Sequence, residues 1–241
     1  MDLNGIRDEV TKLFCEGVAA EEISDDRYRA FAYPKHLKMM RFDTKRYRIP
    51  GYGHLFTMFT NTIFGMKLLT CSFMPGEGVS VPYLLIDMMT VGKKRTVFVE
   101  YYDCTADRPA MQELKDVAAR CAELSDYAEK PAWYVGERTE YSLIKTGKKT
   151  EDDVLTAMVR DSVAAYRRAV TAAAAARKED TEAGTEGASA AASSCAEQNR
   201  RGLLAFRERM VKEGNPSSSV MNRVFGPEGA EEFFRECVMP M

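Results

Sequence analysis

A single carboxylate interrupts the apolar run "PYLLIDMM", residues 82–89: Asp87. In an extended strand Leu85, Asp87 and Met89 face one side, and Leu84, Ile86 and Met88 face the other. Apart from Asp87 both sets are apolar, so both faces of this strand are expected to be covered. An unpaired carboxylate there costs several kcal/mol, so it is either protonated or paired. Burial lifts a carboxyl pKa towards neutrality, which suits a proton donor. A partner such as Arg95 or Lys67 gives a structural ion pair instead. The residue types alone leave both readings open.

Other chemistry is sparse. There are two histidines, His36 and His54, and nothing marks either as part of a nucleophile triad. The six cysteines, at 15, 71, 104, 121, 195 and 237, include no CxxC pair. They read as free thiols in a reducing compartment, with no structural zinc or other metal expected. The phosphate-loop and dinucleotide glycine motifs and the G-x-S-x-G elbow are absent.

The elements that must hold Asp87 follow from pattern. Residues 3–20 keep one apolar stripe, Ile6, Val10, Leu13, Phe14 and Val18, and predict a helix. "EEISDDRYRAFAYPKH" (21–36) reads as an irregular connection. From about 37 to 103, five short runs rich in β-branched and aromatic residues are split by Pro50–Gly53, Gly65, Pro75–Gly78 and Gly92–Lys94. Strands so closely spaced leave no room for crossover helices, so an antiparallel meander is expected. A helix is predicted over 109–124 and a sixth strand at "EYSLIKTG" (140–147). A long helix then starts at an N-cap, Thr150, with an apolar face of Val154, Leu155, Met158, Val159, Val163, Tyr166 and Val170. Residues 178–195 lack large apolar groups and read as a disordered insertion. Helices close the chain. The fold class expected is α+β: a three-layer α/β/α sandwich with a central antiparallel sheet, one domain over 1–241.

Net charge is −2, which gives no global case for nucleic acid or an anionic membrane. The N-terminus has no apolar signal region, and no run approaches the roughly 18 apolar residues of a membrane span. A cytoplasmic monomer is the expectation.

The stretch "LLTCSFMPGEGVSVPYLLIDMM" (68–89) resembles the core of the ferredoxin-dependent bilin reductases, which reduce biliverdin and related linear tetrapyrroles. Red chlorophyll catabolite reductases share that fold. The family shows a Phe/Pro turn, a second proline seven residues on and an aspartate five beyond it, matched by Pro75, Pro82 and Asp87. "YYDCTADRP" resembles the acidic strand end and "DR" turn that follow. "GNPSSSVMNRVFGPEGAEEFFRECVMPM" is similar to the closing segment. The resemblance spans about 55–108 and 196–241.

That resemblance implies Asp87 as catalytic proton donor and a pocket between the sheet and the C-terminal helices. It implies no bound cofactor: electrons arrive singly from reduced ferredoxin, or flavodoxin, on the bilin itself. The family's strand glutamate and histidine fall on Met58 and Thr70, and its second aspartate falls on Asn215. These three are then substrate-binding residues, with Met58 packing and Thr70 and Asn215 orienting. A basic docking surface for an acidic ferredoxin is implied, with candidates Lys93, Lys94 and Arg95, and "KTGKK" (145–149). Because only Asp87 survives of the family's acid/base groups, a non-catalytic tetrapyrrole carrier is the alternative.

Overall fold

The computed structural model describes residues 1–105, 109, 111–182 and 186–241, with side chains outside 179–193. In chain order the elements are α1 (Leu3–Cys15), β1 (Glu21–Glu22), α2 (Asp26–Arg29), β2 (Ala30–Tyr33), β3 (Met40–Ile49), β4 (Gly53–Thr62), β5 (Lys67–Pro75), β6 (Tyr83–Val91) and β7 (Lys94–Tyr102). There follow α3 (Gln112–Arg120), β8 (Leu143–Lys148), α4 (Asp152–Glu182), α5 (Glu186–Lys212) and α6 (Ser218–Phe233). A short π-type turn, Phe234–Val238, ends the C-terminal layer.

The strands form one antiparallel sheet in the order β1-β3-β4-β5-β6-β7-β8, and β2 also pairs with β3. Sequence neighbours pair directly from β3 to β7, as short glycine-containing turns require. Gly53 shows why one of these turns needs glycine. Its φ is +146°, and a Cβ there would lie 2.2 Å from the carbonyl oxygen of Met74.

Helices cover both faces, giving the α/β/α sandwich. On one face α1, α3 and α4 bury Leu3, Ile6, Val10, Phe14, Leu114, Val117, Met158, Val163 and Tyr166 against Leu84, Ile86, Met88 and Val97. Phe14 stacks on Phe73 at 4.6 Å, and the Tyr166 hydroxyl donates to the Pro82 carbonyl at 2.6 Å. On the other face α5, α6 and the final turn bury Leu203, Phe206, Met210, Met221 and Phe233 against Phe56, Met58, Tyr83, Leu85 and Tyr102. Alternate residues of each strand therefore enter different cores. This is why β6 reads as nearly continuous apolar sequence.

Several expectations are corrected. The irregular stretch 21–36 contains β1, α2 and β2. The first helix stops at Cys15, and the long helix starts at Asp152 after a 3₁₀ turn, Lys149–Glu151, that takes in Thr150. Val154 is 52% exposed, off the apolar face. The stretch 178–195 is helical wherever it is described, since α4 runs to Glu182 and α5 starts at Glu186. Alanine, frequent in this stretch, costs a helix no side-chain entropy. The "DR" pair, Asp107 and Arg108, lies outside the described residues. No helix among the described residues is long and apolar enough to cross a membrane.

Candidate functional site

Antiparallel register sets the site. Met58 pairs with Thr70, Thr70 with Asp87, and Asp87 with Phe98. Directly opposed residues point to the same face, so these four side chains form one rung across β4, β5, β6 and β7. The face is the one covered by α5 and α6. Three of the four site residues expected from sequence thus stand side by side.

Within the rung Met58 and Thr70 are buried, whereas Asp87 and Phe98 keep partial solvent access. Leu68 and Met89, paired on the next rung, are also partly exposed. These four make a partly exposed patch whose one polar group is the Asp87 carboxyl. Tyr127 borders it, its ring edge-on to Phe98 at 5.5 Å. On the rung of Leu68 and Met89, the hydroxyls of Thr60 and Thr96 are buried without a hydrogen-bond partner among the described residues.

The Thr70 hydroxyl donates to Asp87 Oδ1 at 2.5 Å. Neither ion-pair candidate is realised. Arg95 is 5% exposed and bonds Asp152 through Nε at 2.6 Å, with further bonds to the Gly92 and Lys94 carbonyls. Lys67 lies on the other face, opposite Thr90. Among the described residues no cation sits within 4.0 Å of Asp87. Surrounding protein atoms desolvate its carboxyl and push its pKa up to about 6, while the Thr70 hydrogen bond works against that rise. Such a group holds a proton at mildly acidic pH and can donate it near neutrality.

Asn215 stands apart. It lies between α5 and α6, and its side chain is used on its own turn. Oδ1 accepts from the Ser217 backbone N–H at 3.0 Å and the Ser217 hydroxyl at 2.8 Å, and Nδ2 donates to the Met210 carbonyl at 3.1 Å. It lines a hollow of about 280 Å³ with Met221, Phe233 and Phe234, which none of the rung residues reaches.

A second buried carboxylate escaped the sequence reading. Glu100, opposite Leu85 on β7, is 1% exposed and is a diagonal neighbour of Asp87 on the same face. Its Oε1 accepts from the Tyr102 hydroxyl at 2.8 Å and pairs with Arg138. Arg138 also grips Glu129 with both terminal nitrogens. Burial pushes Glu100 up to about 7, opposed by the Arg138 charge and reinforced by Asp87. The signal for Glu100 was the one that marked Asp87: a carboxylate in an apolar strand, here "TVFVEYY".

This architecture has a solved counterpart. The structure of phytochromobilin synthase from tomato, in complex with biliverdin, superposes with a TM-score of 0.70 over 98% of this chain and 80% of that one, at 9% identity. At that identity the likeness concerns the fold. No family model and no curated protein matches the chain.

The proposed docking residues divide. Lys93, Lys94, Lys148 and Lys149 are exposed at the β7 and β8 ends, with Lys94 directly opposite Lys148. Arg95 is buried in its pair with Asp152, and Lys145 is 5% exposed and bonds Asp126 at 2.7 Å and the Leu124 carbonyl at 3.1 Å. Neither Arg95 nor Lys145 can meet a partner, because each charge is already satisfied inside the fold.

Proposed function

We propose that the protein binds a linear tetrapyrrole of the biliverdin class on the α5/α6 face of the sheet and reduces it, with Asp87 as proton donor. The observation that carries this reading is the rung: a carboxyl poised near neutrality, partly open, set among apolar side chains and with one hydroxyl for a partner among the described residues. The fold's likeness to a biliverdin-bound synthase supplies the ligand class. Reducing one double bond takes two electrons and two protons, and the electrons are taken from an acidic one-electron donor such as reduced ferredoxin. Asp87 first shares its proton with the ligand's nitrogen or carbon framework, which makes the conjugated system a better electron acceptor. Met58 and Phe98 pack its apolar edges, and Thr70 holds Asp87 in one orientation.

Lys93, Lys94, Lys148 and Lys149 form the docking corner in this reading. Like charges directly opposite one another destabilise a sheet, so the Lys94–Lys148 pair suits a surface that meets negative charge. Lys94 lies over the Tyr127 ring at 5.2 Å, and Tyr127 touches Phe98 beside Asp87. The basic corner is thus two aromatic rings from Asp87.

The test is anaerobic titration with biliverdin, followed by visible spectra as reduced ferredoxin is added. A shifted bilin band that is then lost on reduction, with binding kept and turnover abolished in Asp87→Asn, is expected. A second reading, a tetrapyrrole carrier, is favoured by Met58 and Asn215, neither of which can donate a proton as an acid. Binding without turnover in the wild-type protein selects it. Absence of any spectral change removes both readings.

A further inference from the structure

Two protons are consumed per double bond, and Asp87 holds one. Met58 and Thr70 do not titrate in the working range, and Asn215 is committed to its own turn. Among the described residues this face of the sheet has one other carboxyl near Asp87, that of Glu100.

Charge counting says that Glu100 carries a proton. Glu100, Glu129 and Arg138 form one cluster holding two carboxylates and one guanidinium. With both acids ionised the cluster has an uncompensated negative charge under protein, which burial disfavours strongly. One proton removes it. Glu129 keeps 20% of its side chain in solvent and Glu100 keeps 1%, so the proton falls on Glu100. The groups that face it pull in opposite directions, and burial outweighs the rest. Tyr102 donates to it from β7 and, like the Arg138 charge, favours the carboxylate; Asp87, diagonal on β6, favours the proton when ionised; and Tyr83 and Tyr134 are uncharged phenols whose pKa values burial raises. From α5 comes Phe206, which is apolar and packs against Tyr102 and Tyr83.

Diagonal cross-strand neighbours have their Cα atoms about 7–8 Å apart, within reach of extended acidic side chains. We propose that Glu100 is the proton reserve of this site, a relay residue that re-protonates Asp87 after each donation. This inference rests on the reductase reading for its use, although not for its geometry. The step balances. Asp87 gives a proton to the ligand and becomes a carboxylate. Glu100 passes its proton to Asp87 and becomes the carboxylate that Arg138 and Tyr102 hold. Solvent then restores the proton at the Glu129 side, where the cluster reaches water. The ligand's electrons come from the one-electron donor already named.

The experiment is infrared titration of protonated carboxyl bands in the full-length protein without ligand, between pH 5 and 9. Two bands are expected, one lost in Asp87→Asn and the other in Glu100→Gln, with the Asp87 midpoint lower in Glu100→Gln. Glu129→Gln, at the exposed edge, should lower the Glu100 midpoint by relieving the excess negative charge, and it tests the same idea if Glu100→Gln fails to fold. With biliverdin and reduced ferredoxin, Glu100→Gln should keep the first proton transfer and slow the second, and with it every turnover, about tenfold. If no band is removed by Glu100→Gln, or the Glu129→Gln spectrum is unchanged, Glu100 is an ionised structural partner of Arg138 and the proposal falls. Unchanged multiple turnover in Glu100→Gln also overturns it. If the wild-type protein leaves biliverdin untouched, the reductase reading fails separately, and the infrared bands still decide where the proton resides.

Discussion

Replacing Asp87 by asparagine removes the titrating proton while keeping the side chain's size and its ability to accept the Thr70 hydrogen bond. The folded protein holds the Asp87 carboxyl at about 6, against an ordinary value of 3.8. At about 1.4 kcal/mol per pH unit that gap amounts to about 3 kcal/mol. Between those two pH values the folded state binds more protons than the unfolded chain, so wild-type stability falls as pH rises. Below about 3.8 the carboxyl is neutral in both states and carries no penalty. Above about 6 the full cost of a buried charge is present. Asparagine carries none of it. Asp87→Asn should therefore match the wild-type protein near pH 4 and exceed it by up to about 3 kcal/mol at pH 7. Glu100 is present in both proteins, and loss of the Asp87 charge lowers its midpoint, which adds to the advantage of Asp87→Asn above about pH 6. Urea unfolding at half-unit steps from pH 4 to 8 reads the difference, with fluorescence of Trp133, the chain's one tryptophan, as probe. Trp133 sits against Phe206 and donates to the Gly214 carbonyl, so it reports on the layer that covers Asp87. A gap that does not change with pH, or a wild-type advantage at pH 7, would refute the reasoning and mean that Asp87 is ionised and compensated.

Three further outcomes follow from other parts of the fold. Alanine usually improves a helix over glycine by about 1 kcal/mol, but a Cβ at Gly202 in α5 would lie 2.3 Å from the Cys104 carbonyl oxygen. Gly202→Ala should be destabilised in urea, and a gain would show that α5 can shift off that strand end. Arg95→Ala leaves Asp152 with the Met1 amino group as its remaining cation and should lower stability in thermal or urea unfolding, and Arg95→Lys should recover only part of the loss because the fork also serves two carbonyls. Lys148→Glu converts the like-charge pair with Lys94 into an attractive one. It should stabilise the sheet edge by about 0.2–1 kcal/mol and raise the KM for an acidic electron donor, whereas an unchanged KM removes this corner as the docking surface.

The order of layers and the central strands were legible because glycine turns separate the strands and both faces are apolar. The ends were harder. β1 and β2 are two and four residues long, below the length at which alternation can be counted. Asp87 was legible because a carboxylate in an apolar run has few physical explanations. Glu100 carried the same signal, but the partner that gives it meaning, Arg138, lies beyond α3 and reaches it only in the folded chain. Asn215 illustrates the opposite case. Its position along the chain was suggestive, yet amides favour bonds to their own turn, and Ser217 and Met210 had already claimed it. Arg95 and Lys145 looked like exposed turn cations, and the strand pleat turned both inwards.

Because the candidate residues occupy a rung rather than a single strand, the location of the acid behaves as a coordinate. Adjacent strands are about 4.8 Å apart. Exchanging the residues at 70 and 87 would move the carboxyl one such step along a molecule lying across the sheet. Exchanging those at 58 and 87 would move it two. Neither exchange alters the backbone pairing, because every rung position faces the same layer. In the proposed reaction the site of protonation is then a matter of which strand carries the acid. A paired exchange would redirect the product without altering the sheet.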